Sequence, residues 1–227
     1  MTQKITFDLG NHAGVIGATG SGKTWWSRVL LENIAKGTGS LVPIFIIDSK
    51  MQGDFAKYER SPYGKRISGM KPPAIFEPRG KNPFRVWQPG EDDIDNYEAF
   101  FRSVYYARRP AVVYVDELSS ITNGSATKYP QHYEKLLKQG RGMGISVISV
   151  TQSPAFVPPS TLRQSTHWIR FNLNDEYDMK KMAKVMGPAA LEPPLHDYGF
   201  WYRDTRRPVR KNPPIYFERM QKFFGLE

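Results

Sequence analysis

Cysteine is absent from the 227 residues, which excludes disulfide bonds and thiolate-bound metals. The sequence also has no run of about 18 apolar residues, so we expect no membrane-spanning helix. Its first residues, MTQKITFDLGNH, lack the apolar stretch of a signal peptide. These absences predict a protein of the cytoplasm.

Internal repeats and low-complexity linkers are also missing, so the length predicts a single domain over residues 1–227. Within it, a tail from about residue 203 is basic and rich in proline and arginine. The net charge of +10 favours a polyanionic partner, above all nucleic acid. A charge that serves only solubility is the alternative.

Seven apolar runs, several of them near-continuous and rich in β-branched residues, predict strands that are buried on both faces. These runs are AGVIGA, LVPIFIID, PAIFEP, AVVYVDEL, ISVISVTQ, HWIRFNL and YGFWYR. Apolar residues at helical spacing lie between them, at 24–35, 97–107, 133–139 and 175–186. This alternation predicts an α/β fold, with a mainly parallel central sheet and helices on both faces.

The sequence GATGSGKT, at residues 17–24, matches the phosphate-binding loop pattern GxxxxGK[ST] between a predicted strand and a predicted helix. Glycines let the backbone N–H groups wrap around phosphate oxygens. We expect Lys23 to neutralise the β- and γ-phosphates and Thr24 to bind Mg²⁺. The predicted nucleotide-binding residues here are Gly17, Ala18, Thr19, Gly20, Ser21, Gly22, Lys23, Thr24 and Trp25.

Two tryptophans, Trp25 and Trp26, begin the helix behind this loop. Packing of the rings within the fold is the favoured interpretation. The alternative is that one ring borders the nucleotide or a neighbouring subunit.

The run AVVYVDEL places Asp116 and Glu117 at the carboxyl end of a predicted strand, where α/β sheets bind their ligands. Asp116 is expected to hold Mg²⁺ through water, and Glu117 is the expected general base that polarises the attacking water. Two solvated acids at a strand end are the alternative.

Two further strand ends carry polar side chains. Gln152 is our candidate for sensing the γ-phosphate or positioning water, with a strand-capping role as the alternative. Asp48 and Lys50 are candidate nucleotide-site residues, and a salt-bridged strand end is the alternative. Arg141 and Arg170 are candidates for stabilising transition-state charge, and Arg141 could do so in a neighbouring subunit's site.

The order GATGSGKT, IFIIDSK, VVYVDE and GRGMGISVISVTQSP resembles the FtsK–HerA superfamily of DNA-pumping ATPases, over about residues 13–210. The resemblance implies a RecA-like P-loop NTPase fold. The cellular pumps of this superfamily carry membrane spans, barrels or winged helices, for which this length has no room. A bare motor of this length resembles the genome-packaging ATPases of tailless, internal-membrane viruses of the tectivirus type, with double jelly-roll capsids.

By this resemblance, Lys23, Thr24, Asp116, Glu117 and Gln152 take their family roles with ATP and Mg²⁺. Arg141 becomes the favoured trans-acting arginine, and the strand end at residues 48–50 matches an additional nucleotide-site motif. The implied assembly is a ring, with a hexamer favoured, and it acts on double-stranded DNA through the phosphate backbone. Viral portal-vertex or capsid proteins are implied partners, and the packaging vertex of the virion is a second expected location.

Two segments are the candidates for gripping DNA. These are residues 121–131, which include Lys128 and Tyr129, and the basic residues 50–81. Plain surface loops are the alternative. Two other functions stay open: a cellular FtsK/HerA-like translocase or helicase module in repair or conjugation, and a nucleotide-dependent switch or kinase.

Overall fold

The structure, a computed structural model, describes residues 7–50, 53–59, 65–68, 82–89 and 94–224. Its described strands form one nine-stranded sheet in the order β3-β4-β2-β5-β6-β1-β7-β8-β9. The strands are β1 Ala13–Ile16, β2 Ile44–Ile47, β3 Lys65–Ser68, β4 Phe84–Gln88, β5 Ala111–Val115, β6 Ile145–Thr151, β7 His167–Arg170, β8 Phe200–Asp204 and β9 Ile215–Phe217. The α-helices are α1 Lys23–Gly37, α2 Ala56–Glu59, α3 Ile94–Ala107, α4 Leu118–Thr122, α5 Gln131–Gln139, α6 Pro159–Gln164, α7 Glu176–Met186 and α8 Met220–Phe224.

Strands β1 to β7 pair in parallel, and among the described strands β8 pairs antiparallel with both of its neighbours, β7 and β9. The predicted mainly parallel sheet is therefore confirmed. Helices cover both faces: residues of α3, α5 and α7 pack on one side, and residues of α1 and α8 pack on the other. Strand β5 shows why the apolar runs are continuous, since Val113 faces the first layer and Val112 and Tyr114 face the second.

Several elements were not predicted from the sequence. Strand β4 is wholly buried, yet it contains Arg85 and Gln88, and these polar residues hide its apolar character. Arg85 satisfies its guanidinium locally, because Nη1 donates to the carbonyl oxygens of Asn82 and Phe84. Helix α2 and strand β3 lie within the segment 50–81, which we expected to be a loop. The predicted strand PAIFEP falls outside the described residues.

Strand order decides which loops meet. Strand β1 lies between β6 and β7, and β5 lies on the far side of β6. Because these strands are parallel, the segments that follow β1, β5, β6 and β2 all leave the same edge of the sheet. That edge carries the predicted phosphate-binding loop.

Two buried histidines are expected to make the fold acid-sensitive. Burial lowers the pKa of His12 and of His167 to about 4, so both imidazoles are neutral in the folded chain. His12 accepts a hydrogen bond from the backbone N–H of Val147 through Nδ1. Because the unfolded chain binds protons near pH 6.5, the stability contributed by each neutral imidazole is present above that pH. It is lost as the pH falls toward 4.

We expect each histidine to account for about 2 kcal/mol of unfolding free energy lost between about pH 7.5 and about pH 4.5. The measurement is denaturant unfolding across this range for the parent and for His12→Asn, in which an amide oxygen replaces Nδ1. The His12→Asn variant should lose less unfolding free energy than the parent over this pH range. His196→Asn, which replaces an exposed histidine, should lose as much as the parent. Parallel curves for the parent and His12→Asn would contradict the assignment.

Candidate nucleotide site

The phosphate-binding loop connects β1 to α1 and opens at the amino end of that helix. Gly20 and Gly22 have φ angles of 77° and 99°, in the left-handed region that glycine adopts without strain. The loop is fastened to its neighbours, because the N–H of Gly17 donates to the carbonyl of Thr151 and that of Ala18 to Asn172. The remaining amides and the helix dipole make this end of α1 a site for an anion.

Lys23 is folded into this loop. Its Nζ donates to the carbonyl oxygens of Gly17 at 2.6 Å and Ala18 at 2.7 Å, and the residue is 6% exposed. Burial, with a smaller contribution from the nearby charge of Lys50, lowers the pKa of Lys23 to about 8. The ammonium therefore lies within the loop where it was expected to meet phosphate. Thr24 follows it on α1 and is half-buried.

The acidic pair lies at the carboxyl end of β5. Asp116 is 1% exposed and accepts a hydrogen bond from the Tyr114 hydroxyl at 3.1 Å. Burial raises its pKa to about 6, so protons compete for this carboxylate below that pH. Glu117 caps α4, because its Oε1 accepts from the N–H of Ser119 at 3.5 Å.

Lys50 reaches this pair from the end of β2. Its Nζ lies 3.5 Å from Asp116 Oδ2 and 3.4 Å from Glu117 Oε2. Asp48, at the same strand end, accepts a hydrogen bond from Gln88 Nε2 at 2.9 Å. The structure thus brings Lys50 into contact with the acidic pair and ties Asp48 to β4.

Gln152 follows β6 and is linked directly to the phosphate-binding loop. The hydroxyl of Thr19 donates to Gln152 Oε1 at 3.0 Å. Residues that stand 133 positions apart therefore meet because β6 and β1 are neighbours. The sequence placed both residues in the site, but it carried no signal for this contact.

The two candidate arginines lie in very different places. Arg141 is exposed in a 3-10 helix, Gly140–Met143, that precedes β6, so it lies at the edge opposite to the phosphate-binding loop. The seven residues of β6 separate these edges by roughly 20 Å, which is too far for Arg141 to reach the site of its own chain.

Arg170, the second candidate for stabilising transition-state charge, is not available to a neighbouring subunit. It ends β7 with 0% exposure, and its Nη1 donates to the carbonyl oxygen of Glu192 at 2.7 Å. Burial lowers its pKa to about 10. A guanidinium enclosed in this way cannot be presented to a neighbouring subunit.

Only one of the two tryptophans packs in the core. Trp26 is 1% exposed and contacts the rings of Phe200, Phe223 and Phe224. Trp25 is 53% exposed, which contradicts packing of both rings. The physical reason is the helical turn of about 100° per residue, which points neighbouring side chains in different directions.

A cavity of about 370 Å³ adjoins the phosphate-binding loop and was not predicted from the sequence. Residues 18–21 form one side of it, and Asn172, Asn174 and residues 194–199 form the other. Tyr198 has a φ of 63°, and a Cβ atom added at Gly22 would lie 3.0 Å from its ring. A side chain at position 22 would therefore press on this ring, in addition to the strain of a φ of 99°.

The oxygen atoms of the site suit Mg²⁺. Asp116 Oδ2 and Glu117 Oε2 are buried and lack a hydrogen-bond partner within the part of the chain that the structure describes. One carboxylate and a hydroxyl such as that of Thr24, together with substrate phosphates, form the usual donor set for this ion.

None of the described helices combines the length that a membrane span requires with the necessary apolar character.

Known proteins share both the sequence pattern and the fold. Protein P9 of Pseudoalteromonas phage PM2 is 26% identical over 209 residues, and the match covers 88% of each chain. The genome packaging NTPase B204 of Sulfolobus turreted icosahedral virus 2, in complex with sulfate, has a TM-score of 0.73 at 16% identity, over 92% of this chain and 96% of B204.

The conjugation coupling protein TcpA of pCW3, in its monomer form with ATPγS, has a TM-score of 0.65 at 16% identity. That match covers 98% of this chain and 67% of TcpA. Residues 4–138, more than half of the chain, match the family described as the central domain of the helicase HerA. The chain therefore belongs to the HerA central-domain family and is a P-loop ATPase.

Proposed function

We propose that this ATPase moves double-stranded DNA into a preformed viral capsid and hydrolyses ATP at the subunit interfaces of a ring. One observation carries the proposal. The phosphate-binding loop, the acidic pair and Gln152 meet at one edge of the sheet, whereas the exposed Arg141 lies at the opposite edge. Such a chain holds the groups for hydrolysis at one edge and offers an arginine to a neighbour's site from the other.

Within the site, the loop amides and Lys23 bind the phosphates, and Thr24 and Asp116 hold Mg²⁺. The ion supplies charge neutralisation of the phosphate oxygens when it is bound. Glu117 takes the proton of the attacking water, and Gln152 orients that water beside the γ-phosphate. Thr19, through its hydrogen bond to Gln152, couples the loop to this residue.

The cavity beside the loop is our candidate for the nucleoside. It adjoins residues 18–21, as a base and ribose attached to the bound phosphates require. The aromatic ring of Tyr198 and the amides of Asn172 and Asn174 can stack with a base and hydrogen-bond to it. The exposed Trp25 stays a candidate for contact with nucleotide or with a neighbouring subunit.

Ring formation is supported by the position of Arg141. Arg108 and Arg109 shortly precede β5, which is parallel to β6, so they lie at the same edge of the sheet as Arg141. All three arginines are exposed. A hexamer is the favoured ring, and the whole chain acts in it as one domain.

DNA as the cargo is supported by the net charge of +10 and by two relatives, a phage protein and a viral genome packaging NTPase. In the candidate loop 121–131, Ile121 and Thr122 are buried in α4, while Lys128 is exposed. Tyr129 turns inward, with its hydroxyl donating to Glu134. Lys128 is therefore the residue of this loop best placed to contact phosphate, and most of the segment 50–81 lies outside the described residues.

A cellular translocase that works in conjugation is the second candidate, favoured by the similarity to TcpA. Genes for capsid proteins next to the gene of this protein would favour packaging over conjugation. The packaging proposal places the protein in the host cytoplasm and then at the packaging vertex, where portal-vertex or capsid proteins are its partners. A switch or kinase fits less well, because Glu117 supplies a base for water.

Duplex DNA is expected to raise ATP turnover of the purified oligomer, by about tenfold, since grip on the cargo is coupled to hydrolysis. Lys128→Ala should reduce this stimulation and lower its salt dependence, while leaving turnover without DNA unchanged. Lys36→Ala, which removes an exposed lysine at the end of α1, is the matched control. The assay is phosphate release with and without linear duplex, and no stimulation of a confirmed oligomer by any DNA would overturn both translocase proposals.

A further inference from the structure

Lys50 neutralises both acidic residues of the candidate site at once. Its Nζ lies 3.5 Å from Asp116 Oδ2 and 3.4 Å from Glu117 Oε2, and it donates to the carbonyl oxygen of Asp116 at 3.4 Å. The side chain is 21% exposed, while those of Asp116 and Glu117 are 1% and 9% exposed. This is an ion pair shielded from water, unlike the exposed pairs on the helices.

The carboxylate oxygens divide into two kinds. One oxygen of each is bound to the fold: Asp116 Oδ1 accepts from the Tyr114 hydroxyl, and Glu117 Oε1 accepts from the N–H of Ser119. The other oxygen of each is buried, accepts no hydrogen bond among the described residues, and lies within 3.5 Å of the Lys50 ammonium. The fold thus directs two carboxylate oxygens that accept no hydrogen bond among the described residues toward one point. The ammonium of Lys50 occupies that point.

A divalent ion on Asp116 would compete for this point. An ion held by Asp116, directly or through a bound water, would need Oδ2 and would therefore lie close to the ammonium of Lys50. Two cations at such short range repel strongly in a site with little water. Either the ion or Lys50 can hold Oδ2, but both together are unfavourable.

We propose that Lys50 is a built-in competitor for the metal, which keeps Asp116 and Glu117 neutralised until Mg²⁺ arrives with ATP. Asp116 would then be free to hold the ion, and the ammonium of Lys50 would turn toward the phosphates, near Lys23. ATP thereby brings both the ion that displaces Lys50 and the anion that receives it. Lys50 is a positioning residue that acts through Asp116, and this inference rests on the proposed Mg²⁺-dependent ATPase.

Replacing the ammonium should strengthen metal binding without nucleotide. We expect Lys50→Met to bind Mn²⁺ at least about tenfold more tightly than the parent, because the competing charge is lost while the free oxygens remain. The measurement is a Mn²⁺ titration followed by electron paramagnetic resonance. Lys50→Arg, which keeps the charge, should resemble the parent.

The matched control is Lys57→Met. Lys57 forms an ion pair with Glu32 on the surface, so its loss removes an equal charge but leaves one exposed carboxylate instead of a buried pair. Its Mn²⁺ affinity should equal that of the parent. Equal affinities for Lys50→Met and Lys57→Met, including no binding by either, would overturn the proposal.

Thermal unfolding provides a second readout that a merely structural lysine would not affect. In chelator, Lys50→Met should unfold at a lower temperature than the parent, because two buried carboxylates lose their counter-ion. Mg²⁺ should restore most of the loss in this variant and shift the parent far less. A loss that Mg²⁺ does not restore would identify Lys50 as structural only. Failure of the parent to bind ATP would instead overturn the proposed function, since the Mn²⁺ comparison uses no nucleotide.

Discussion

Glu117→Gln is expected to keep ATP binding and to lower ATP turnover by roughly 10²–10⁴-fold. The amide has the shape of the carboxylate, and its oxygen can still accept the hydrogen bond from the N–H of Ser119. It cannot take a proton from water at neutral pH, so only the base is lost. Binding of a fluorescent ATP analogue and steady-state phosphate release separate the two effects.

Glu134→Gln is the matched control. Glu134 lies in the first turn of α5, where it is paired with Lys138. Both binding and turnover of this variant should equal those of the parent. If Glu117→Gln turned over ATP within a few-fold of the parent, Glu117 would not be the base.

Arg141→Ala is expected to lose about 10³-fold or more of ATP turnover, and the activity should return when its subunits are mixed with Glu117→Gln subunits. Each variant alone lacks one group at every interface. In mixed rings, some interfaces combine an intact Glu117 from the first variant with an intact Arg141 from the second. Recovery is therefore the signature of an arginine that acts across an interface.

The mixing experiment needs two checks. Arg163→Ala removes another exposed arginine, on α6, and should leave turnover unchanged. The oligomeric state of each mixture is measured by light scattering, so that subunit exchange is established. With exchange established, no recovery at any ratio would show that Arg141 does not act in trans.

Much of the fold could be predicted from local patterns. Strands such as β5 are covered on both faces, so their apolar runs are continuous and easy to recognise. Helix α7 is marked by the capping side chain of Asp175 and by Gly187 at its end. Strand β4 escaped prediction, because Arg85 and Gln88 satisfy their polar groups within the fold in ways that spacing cannot reveal.

The candidate site could be predicted only in part. The phosphate-binding loop is a contiguous motif, because its function depends on the conformation of a few neighbouring residues. The cavity lined by residues 194–199 and the bond from Thr19 to Gln152 join distant segments, and no local signal marks them. The sequence offered Arg170 as a candidate for stabilising transition-state charge but could not show its burial, since the burial of an arginine depends on the packing of segments such as that of Glu192.

By itself, the sequence of this protein determined the identity of the loop that holds phosphate, six strands (β1, β2, β5, β6, β7 and β8) and four helices (α1, α3, α5 and α7), because those depend on the order of residues along one segment. Only the tertiary structure decided which of the predicted side chains share a site. The placement of β6 between β1 and β5 brought Gln152 to the loop and left Arg141 on the opposite edge. The same packing set Lys50 between Asp116 and Glu117, since a contact between ends of different strands depends on sheet order and not on sequence distance.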